Sequence, residues 1–463
     1  MTLHRASRYT LALALLAVPP AAGAQAFGLN EIGSCALARG FAATAAPCDD
    51  ASSVYWNPGA MPRARGWSFY AGAAAIVIEG DFIQDTTFNR YESDVPLAVV
   101  PHLFATYRGA GKMAYGLGVY VPFGLTSQWK DDFPGRFAAK KAALQTIYVQ
   151  PNISYQISPN WSVGGGPVFG HSKVELIQAI DLSQQRTSAN GPTFGQLGIP
   201  LRTEFARATL EGSGSAFGLD VGVHGKLTPV WQMGVRFLSQ LSFDFNDADA
   251  VFEQRPTGLT LAANNPLGQP ANTPVDALVA GQFTGSGALT PQKVSTQIRN
   301  PAQIQVGFAY SGFPNTLLSA EYAYVGWKSF NRLPVDFQGG ATDRVIQEDY
   351  NNTSGVRLGA EHRLLSGIAL RGGFTVSAAA APDETVTPLL PEQDRALAML
   401  GAGLPFGSRY VLDATYARIF TPGRRGRIDE RAEGSTQGQA LALNSGSFAL
   451  SANVLSLSLK ASF

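Results

Sequence analysis

The sequence contains few charges and few of the residue types from which catalytic and metal sites are built. Of its 463 residues, 15 % are charged, the formal net charge is +1, and there are two cysteines and five histidines. A net charge so close to zero provides no basic surface for nucleic acid. The spacings His-x-x-x-His, His-Glu-x-x-His and Cys-x-x-Cys do not occur, nor does a P-loop or a Gly-x-Ser-x-Gly motif. We therefore expect no nucleic-acid partner, no metal or other cofactor, and no enzymatic activity.

Long apolar runs are also missing, since none reaches the roughly 20 residues that a transmembrane helix requires. The N-terminal apolar run, Tyr9–Val18, is short; it follows Arg5 and Arg8 and precedes the small-residue site Ala22-Gly23-Ala24. This order is typical of a secretory signal peptide. We predict that residues 1–24 are removed and that the mature chain is exported, with a buried N-terminal helix as the alternative.

The two cysteines, Cys35 and Cys48, are close in sequence and both lie in the exported part of the chain. The periplasm is oxidising, and we therefore expect them to form a disulfide bond. Two separate buried thiols are the alternative at this stage.

From Trp67 onward the sequence shows fine alternation of apolar and polar residues, with 50 glycines spread along the chain. Such alternation is typical of strands with one face in lipid and the other facing a polar lumen. It predicts about fourteen strands of roughly ten residues, and bacterial single-chain barrels have an even number. The predicted strands are Trp67–Glu79, Leu97–Tyr107, Met113–Leu125, Leu144–Ile157, Trp161–Ile180, Ser215–Leu227, Trp231–Phe245, Gln297–Ser311, Thr316–Phe330, Gly355–Leu365, Ile368–Ala378, Ala396–Pro405, Tyr410–Phe420 and Phe448–Phe463.

The connections between these strands alternate between short and long. Arg108–Lys112 and Ser158–Asn160 are short, whereas Asp181–Gly214 and Asn246–Thr296 are long and polar. Short periplasmic turns and long extracellular loops produce this asymmetry in outer-membrane barrels, and a soluble β-sandwich has no reason to sort its loops in this way. The sequence therefore predicts an all-β fold, a transmembrane antiparallel β-barrel over residues 66–463 in the bacterial outer membrane.

The predicted strand faces agree with this fold. Arg357 and Glu361 alternate with Val356 and Leu358, and we place the charged face in the lumen because charges facing lipid cost about 2–4 kcal/mol near the midplane. Aromatic residues near predicted strand ends are expected in interfacial girdles; they are Trp67, Trp161, Trp231, Tyr322, Tyr324 and Trp327. The last strand ends in Phe463, which looks like the ending that the outer-membrane assembly machinery recognises, so we expect this machinery as a partner. We also expect contacts with outer-membrane lipid and lipopolysaccharide, and a monomeric protein.

Residues 25–65 lack the alternation. They contain the stretch Gln25-Ala26-Phe27-Gly28-Leu29-Asn30-Glu31 and a second stretch that ends in Val54-Tyr55-Trp56-Asn57-Pro58-Gly59-Ala60. These two stretches resemble the FadL family of outer-membrane long-chain fatty-acid and hydrocarbon transporters. The family carries an Asn-Pro-Ala signature in an N-terminal hatch that plugs a fourteen-stranded barrel. The resemblance implies that residues 25–65 are such a hatch, with Asn57, Pro58 and Gly59 as its signature. Gly59 departs from the family's alanine, and the contacts of that alanine are not carried over.

The resemblance also implies a transport route. In the family the signature braces a kinked third strand, whose bend opens the barrel wall. The matching strand, Met113–Leu125, contains Pro122-Phe123-Gly124, and proline cannot donate to a strand ladder. A strand that ends at Val121 is the alternative. The ligand pocket is expected beside Phe27, Leu29 and Asn30.

The expected ligand is a hydrophobic small molecule, with long-chain fatty acids as the first candidates and monoaromatic hydrocarbons as the near alternative. A guanidinium can grip a carboxylate, and the candidates are Arg236, Arg357, Arg363 and Arg371, although we expect most lumen charges to pair with one another. A general diffusion porin and an outer-membrane hydrolase built on Asp220 and His224 are less favoured, because the first has no use for a hatch and the second has no nucleophile in view.

Overall fold

The computed structural model describes residues 26–63, 65–426 and 446–463, and within these ranges the chain is dominated by antiparallel strands. The strands are β1 (Gly66–Gln84), β2 (Arg90–Glu92), β3 (Ala98–Arg108), β4 (Met113–Gln128), β5 (Lys141–Gln156), β6 (Trp161–Asp181), β7 (Glu204–Lys226), β8 (Trp231–Leu238), β9 (Leu241–Gln254), β10 (Gln292–Asn300), β11 (Gln303–Phe313), β12 (Thr316–Val325), β13 (Arg332–Phe337), β14 (Arg344–Gln347), β15 (Thr353–Arg363), β16 (Ala369–Ser377), β17 (Arg395–Phe406), β18 (Tyr410–Phe420), β19 (Arg424–Gly426) and β20 (Gly446–Ser462).

Helices are short and lie outside the strands. They are α1 (Ser34–Ala38), α2 (Ser53–Trp56) and α3 (Val275–Val279), with 3-10 helices at Pro58–Arg63, Pro134–Phe137, Gly195–Leu197, Ala280–Phe283, Trp327–Ser329 and Asp383–Thr385. Among the described residues, no helix has the length and apolar character needed to cross a membrane.

The sheet closes on itself because β1 pairs with β3 along one edge and with β20 along the other, from Ser68↔Ser462 to Gln84↔Gly446. Two barrel strands are interrupted. The first consists of β8 and β9, which both pair with β7. The second consists of β10, which pairs with β9, and β11, which pairs with β8. Counting each interrupted strand once, and leaving out the short β2, β13, β14 and β19, the barrel has the fourteen antiparallel strands that the alternation predicts.

The largest departure from the predicted boundaries is β7, which begins at Glu204 rather than at Ser215. Its early part pairs with β6 up to Asp181↔Glu204. This extension includes Arg207, which pairs with Glu204 and Asp131, and Glu211, which lies opposite Glu175 and Asp249 on the neighbouring strands. Alternation marks only the portion of a strand that separates lipid from lumen, and the sequence pattern therefore stops where the strand leaves the membrane.

The two faces of the barrel wall differ as expected. On β7, Leu219 and Val223 are 47 % and 40 % exposed on the outer surface, whereas Asp220 is fully buried in the lumen. Trp67, Trp161 and Trp231 are also exposed, at strand ends. The girdle prediction is wrong for Trp327, which is fully buried, because β12 ends at Val325 and the following 3-10 helix belongs to the interior.

The long connections at one end of the barrel carry structure of their own. Residues of the loop before β7 pack against residues of the loop after β9 in a small apolar cluster. Its buried members include Leu182 and Phe194 of the first loop, Phe205 at the start of β7, and Leu261 and Val275 of the second loop. These two loops therefore form a cap with its own core beside the barrel mouth.

Candidate transport pathway

Residues 26–63 lie inside the barrel, because their hydrogen-bond partners come from strands all around its wall. The Ser34 hydroxyl is 2.6 Å from the Ser458 hydroxyl on β20, and the Thr44 amide donates to Glu321 on β12 at 2.9 Å. On a third side, the Gln150 side chain of β5 donates to the Val54 carbonyl oxygen at 3.1 Å. Nearly all of these residues are buried. The segment therefore fills the lumen across its width.

Asn57 joins this segment to the wall. Its side-chain amide donates to the carbonyl oxygens of Thr44 at 2.8 Å and of Val223 on β7 at 3.0 Å. Its Oδ1 accepts the Gly59 amide at 2.9 Å. The asparagine thus satisfies three backbone groups at once and is fully buried, which agrees with its place in the signature.

Gly59 takes the position where the family signature has alanine, and the space around it is small. A Cβ atom at Gly59 would lie 2.6 Å from the carbonyl oxygen of Gly222 on β7. The Gly59 carbonyl oxygen accepts a hydrogen bond from Ser162 on β6 at 2.5 Å. The glycine therefore allows the signature to contact the barrel backbone closely.

The disulfide expected from the sequence is present between Cys35 and Cys48, with the Cα atoms 6.3 Å apart. It closes a loop within the N-terminal segment. The buried Arg39 lies in that loop and donates to the Ala42 carbonyl oxygen at 3.2 Å and to that of Ala46. Cross-link and guanidinium together give this part of the segment a fixed shape.

The barrel wall has a break in its hydrogen bonding between β3 and β4. These strands pair from Arg108↔Ala114 to His102↔Tyr120, and among the described residues their pairing goes no further. Both strands continue, β3 on β1 and β4 on β5 as far as Gln128. Beyond the break the wall is joined again by a bridge between Ser93 and Trp129. We call this gap the β3–β4 window.

The break coincides with a bulge in β4. Tyr120 pairs with Tyr148 and Phe123 with Thr146, and β4 therefore uses three steps where β5 uses two. The extra residue lies beside Pro122, which has no backbone N–H to donate to a ladder. The proline therefore lies where the strand bends, and the strand does not end at Val121.

The N-terminal segment supplies hydrogen bonds at this bend. The Leu29 amide donates to the Pro122 carbonyl oxygen at 2.8 Å, and the Gly124 amide donates to the Phe27 carbonyl oxygen at 2.9 Å. A bridge also pairs Gly28 with Phe123. Residues 27–29 thus act as a short extra strand on the edge of β4 that β3 leaves unpaired.

The side chain of Phe27 is enclosed by aromatic rings. Its ring centroid lies 4.7 Å from that of Trp327, 5.1 Å from Phe330 and 6.0 Å from Phe123. Tyr350 continues the cluster, 5.1 Å from Phe330. The first two contacts are edge-to-face, a favourable arrangement for aromatic pairs. The place where a ligand pocket was expected is thus occupied by the protein's own phenylalanine.

The start of the segment is held by a buried carboxylate. Glu392 accepts hydrogen bonds from the backbone amides of Ala26 at 2.7 Å, Ala380 at 2.9 Å and Ala381 at 2.6 Å. Arg395 donates to the Ala26 carbonyl oxygen at 2.9 Å. Sequence reasoning missed Glu392 and Arg395, because they belong to a long loop and the start of a strand, where no pattern distinguishes them.

The four arginines suggested for carboxylate binding all have acidic partners. Arg236 pairs with Asp220 at 2.8 Å and Arg357 with Glu321 at 2.7 Å. Arg371 lies between Glu361 at 2.8 Å and Asp413 at 2.5 Å, and Arg363, which is half exposed, also pairs with Glu361 at 3.2 Å. Arg357 contacts the N-terminal segment through Asn30, whose Oδ1 lies 3.3 Å away. The expected mutual pairing of lumen charges is what the structure contains.

Asp220 and His224 do not act on one another. Asp220 accepts from Arg236 and from Gln150, and the Nε2 atom of His224 lies 3.3 Å from the side-chain oxygen of Gln232. The two residues share a strand face, but each is satisfied by a different partner. Asp220 and His224 therefore do not form the aspartate–histidine pair that a hydrolase would need.

A closed fourteen-stranded barrel with an apolar outer surface and a charged lumen defines this chain as an outer-membrane β-barrel protein. The model of one family, described as outer membrane protein transport protein (OMPP1/FadL/TodX), matches residues 15–463. The chain belongs to this family, whose members carry hydrophobic compounds across the outer membrane.

Several relatives resemble the chain over most of its length. Outer membrane protein P1 of Haemophilus influenzae is 25 % identical over 440 residues, covering 88 % of this chain and 89 % of the relative. A long-chain fatty acid transport protein of Escherichia coli is 24 % identical over 409 residues, covering 86 % and 87 %.

Solved structures share the fold. A FadL homologue of Pseudomonas aeruginosa superposes with a TM-score of 0.78 at 19 % identity, covering 95 % of this chain and all of that one. The toluene transporter TbuX of Ralstonia pickettii superposes with a TM-score of 0.62 at 18 % identity, covering 95 % and 99 %. At these identities the likeness concerns the fold.

Proposed function

We propose that this protein takes up hydrophobic compounds by binding them beside Phe27, moving its N-terminal hatch (residues 25–65) and releasing them sideways through the β3–β4 window. The observation that carries the proposal is the pairing of residues 27–29 with the bend in β4. Phe27 belongs to the aromatic cluster, and residues 27–29 together cover the edge of β4 at the window. A ligand that displaces Phe27 would therefore also uncover the opening in the wall.

Binding needs only apolar contacts. Burial is worth about 0.8 kcal/mol per methylene group, so a long acyl chain or an aromatic ring could replace the contacts that Phe27 makes with Trp327 and Phe330. No cofactor or energy source enters this step, and we propose that the protein is not an enzyme.

Release requires the extra strand to leave the edge of β4. Two backbone hydrogen bonds, from Leu29 to Pro122 and from Gly124 to Phe27, would have to break. Such bonds contribute about 0.5–1.5 kcal/mol each, an amount that ligand burial can offset. A sideways exit brings an apolar solute into lipid and avoids the aqueous periplasm.

Two ligand classes fit this route. Long-chain fatty acids are our first candidates, and relatives named as long-chain fatty acid transport proteins support them. For a carboxylate to be gripped, Arg236, Arg357, Arg363 or Arg371 would have to leave an existing ion pair. Monoaromatic hydrocarbons are the second candidates, favoured by the edge-to-face rings around Phe27. Competition between labelled oleate and toluene for the purified protein would decide between the two classes.

The exit is tested by straightening β4. We expect the double variant Pro122→Thr/Gly124→Val to lose most uptake of labelled oleate, because a regular strand could pair with β3 and close the window. Gly111→Ala, in an exposed turn with nothing within 4 Å of the added Cβ, is the matched control. Unchanged uptake by a folded double variant would refute the lateral exit. Ion conductance through the wild-type protein in planar bilayers would instead favour an open porin.

A further inference from the structure

The aromatic cluster around Phe27 contains a polar atom without a partner. Trp327 is fully buried, and among the described residues none accepts a hydrogen bond from its indole Nε1. An unpaired buried N–H costs about 1–3 kcal/mol, and buried polar groups in proteins are nearly always satisfied. By contrast, the buried indole of Trp56 donates to the Ile32 carbonyl oxygen at 3.1 Å. The Trp327 Nε1 atom is therefore open to a partner that is not among the described residues.

A complementary atom lies on a neighbouring element. Asn300, at the end of β10, is 1 % exposed; its Nδ2 donates to the Tyr148 hydroxyl at 3.1 Å, but its Oδ1 has no partner among the described residues. The 3-10 helix that contains Trp327 packs against β10. The rings of Trp327 and Tyr148 lie 6.2 Å and 6.1 Å from that of Phe123. Trp327, which carries the unpartnered donor, and Tyr148, which is hydrogen-bonded to the residue with the unpartnered acceptor, thus both lie beside Phe123 near the window.

The charges around the cluster do not favour an anion. Glu392 holds Ala26, and the fully buried Glu348 lies against Tyr350. Burial, with the nearby charge of Glu392, raises the pKa of Glu348 to about 8, which keeps this carboxyl neutral at pH 7. Arg395 is engaged with the Ala26 carbonyl oxygen. The neutral Glu348 gives a ligand carboxylate no counter-charge, and the nearby Glu392 would repel it.

We propose that the pocket beside Phe27 takes an aromatic compound bearing a neutral hydroxyl group, which accepts a hydrogen bond from Trp327 Nε1 and donates one to Asn300 Oδ1. This inference rests on the proposed function and makes its aromatic ligand class specific. A hydroxyl group is both donor and acceptor, and it satisfies two buried atoms that a plain hydrocarbon leaves unpaired. Phenols and similar oxygenated aromatics are the corresponding chemical class.

The test compares ligands that share a methyl-substituted benzene ring. Toluene, p-cresol and p-toluate are titrated at pH 7 into the purified full-length protein by calorimetry, with oleate as a fourth probe. We expect Trp327→Phe, and separately Asn300→Leu, to weaken p-cresol binding about tenfold relative to toluene, because sites built around a ligand hydroxyl discriminate strongly on it. Both variants keep the site apolar, so toluene affinity should change less than twofold.

Trp161→Phe is the matched control, because this tryptophan is 38 % exposed at the start of β6 and makes no ring contact with the cluster around Phe27. It should leave the toluene to p-cresol ratio unchanged. If both interior variants keep the wild-type ratio, or if wild-type protein binds p-toluate more tightly than p-cresol, the inference is overturned. Binding of oleate with no binding of p-cresol also overturns it. Failure of all four probes to bind would refute the proposed function itself.

Discussion

Gly59 lies so close to Gly222 that a Cβ atom on Gly59 would be 2.6 Å from the Gly222 carbonyl oxygen. The contact joins the N-terminal segment to β7, to which Asn57 is also bonded through the Val223 carbonyl oxygen. A close backbone approach of this kind requires glycine. The departure from the family's Asn-Pro-Ala signature is therefore matched by the shape of this barrel's wall.

Gly59→Ala should weaken the docking of the hatch. The added methyl group would push the signature away from β7, and overpacking of this kind costs about 1–3 kcal/mol. Hydrogen exchange of the Gly59 and Ala60 amides, bonded to Asn57, reports the change directly. We expect at least fivefold faster exchange than in Gly111→Ala, whose added Cβ meets nothing. Equal exchange in the two variants would contradict the tight fit.

Breaking the ion pair between Asp220 and Arg236 should destabilise the folded barrel strongly, whereas replacing both residues with apolar ones should destabilise it little. Both side chains are at most 1 % exposed, so removal of one leaves a buried charge, at about 3–5 kcal/mol. We expect Asp220→Ala to lower the urea midpoint of the folded barrel strongly, and Asp220→Leu/Arg236→Met to recover most of the loss. Asp249→Ala, which breaks an exposed pair with Lys293, should cost about 0–1 kcal/mol. A double variant as unstable as the single one would disprove this account.

The barrel could be predicted from sequence because its physics is local and periodic. Alternation along Leu219, Asp220 and Val221 follows from lipid on one side of the wall and lumen on the other. In the same way, the alternation of short turns and long loops distinguishes the two ends of the barrel. The predicted fourteen strands and the lumen placement of Arg357 and Arg371 are confirmed for this reason.

The interior could not be predicted in the same way, because its contacts join distant parts of the chain. Glu392 meets Ala26 across 366 positions, and the residues around it carry no periodic signal. The sequence places Trp327 in the girdle because it lies near the end of the predicted strand Thr316–Phe330, but the chain turns inward after Val325. Where a long loop folds back into the lumen, its side chains acquire partners that only the three-dimensional fold reveals.

Glu392 should control how firmly the hatch start is held. Glu392→Ala would leave the buried amides of Ala26, Ala380 and Ala381 without their acceptor, at about 1–3 kcal/mol for each unpaired group. We expect the Leu29 amide, bonded to Pro122, to exchange at least tenfold faster with solvent. Glu392→Gln keeps an acceptor and should show a smaller effect. If the Leu29 amide exchanges at an unaltered rate in the alanine variant, Glu392 does not hold the start of the hatch in place.

The loop around Glu348 should lose stability as pH rises. Burial raises the pKa of Glu348 from 4.5 to about 8, helped by Glu392 and Asp349, so the closed loop binds this proton more tightly than an opened loop with an ordinary pKa does. The stabilisation that this bound proton gives to the closed loop is therefore complete below pH 4.5 and is lost as pH rises through 8. The amides of Glu348 and Asp349 both bond to the Asn331 carbonyl oxygen and serve as probes. We expect their protection factors to fall more than tenfold between pH 6 and 9, and less than twofold in Glu348→Gln. The exposed Glu253→Gln should behave as wild type, and a pH response that survives in Glu348→Gln would show that another group is responsible.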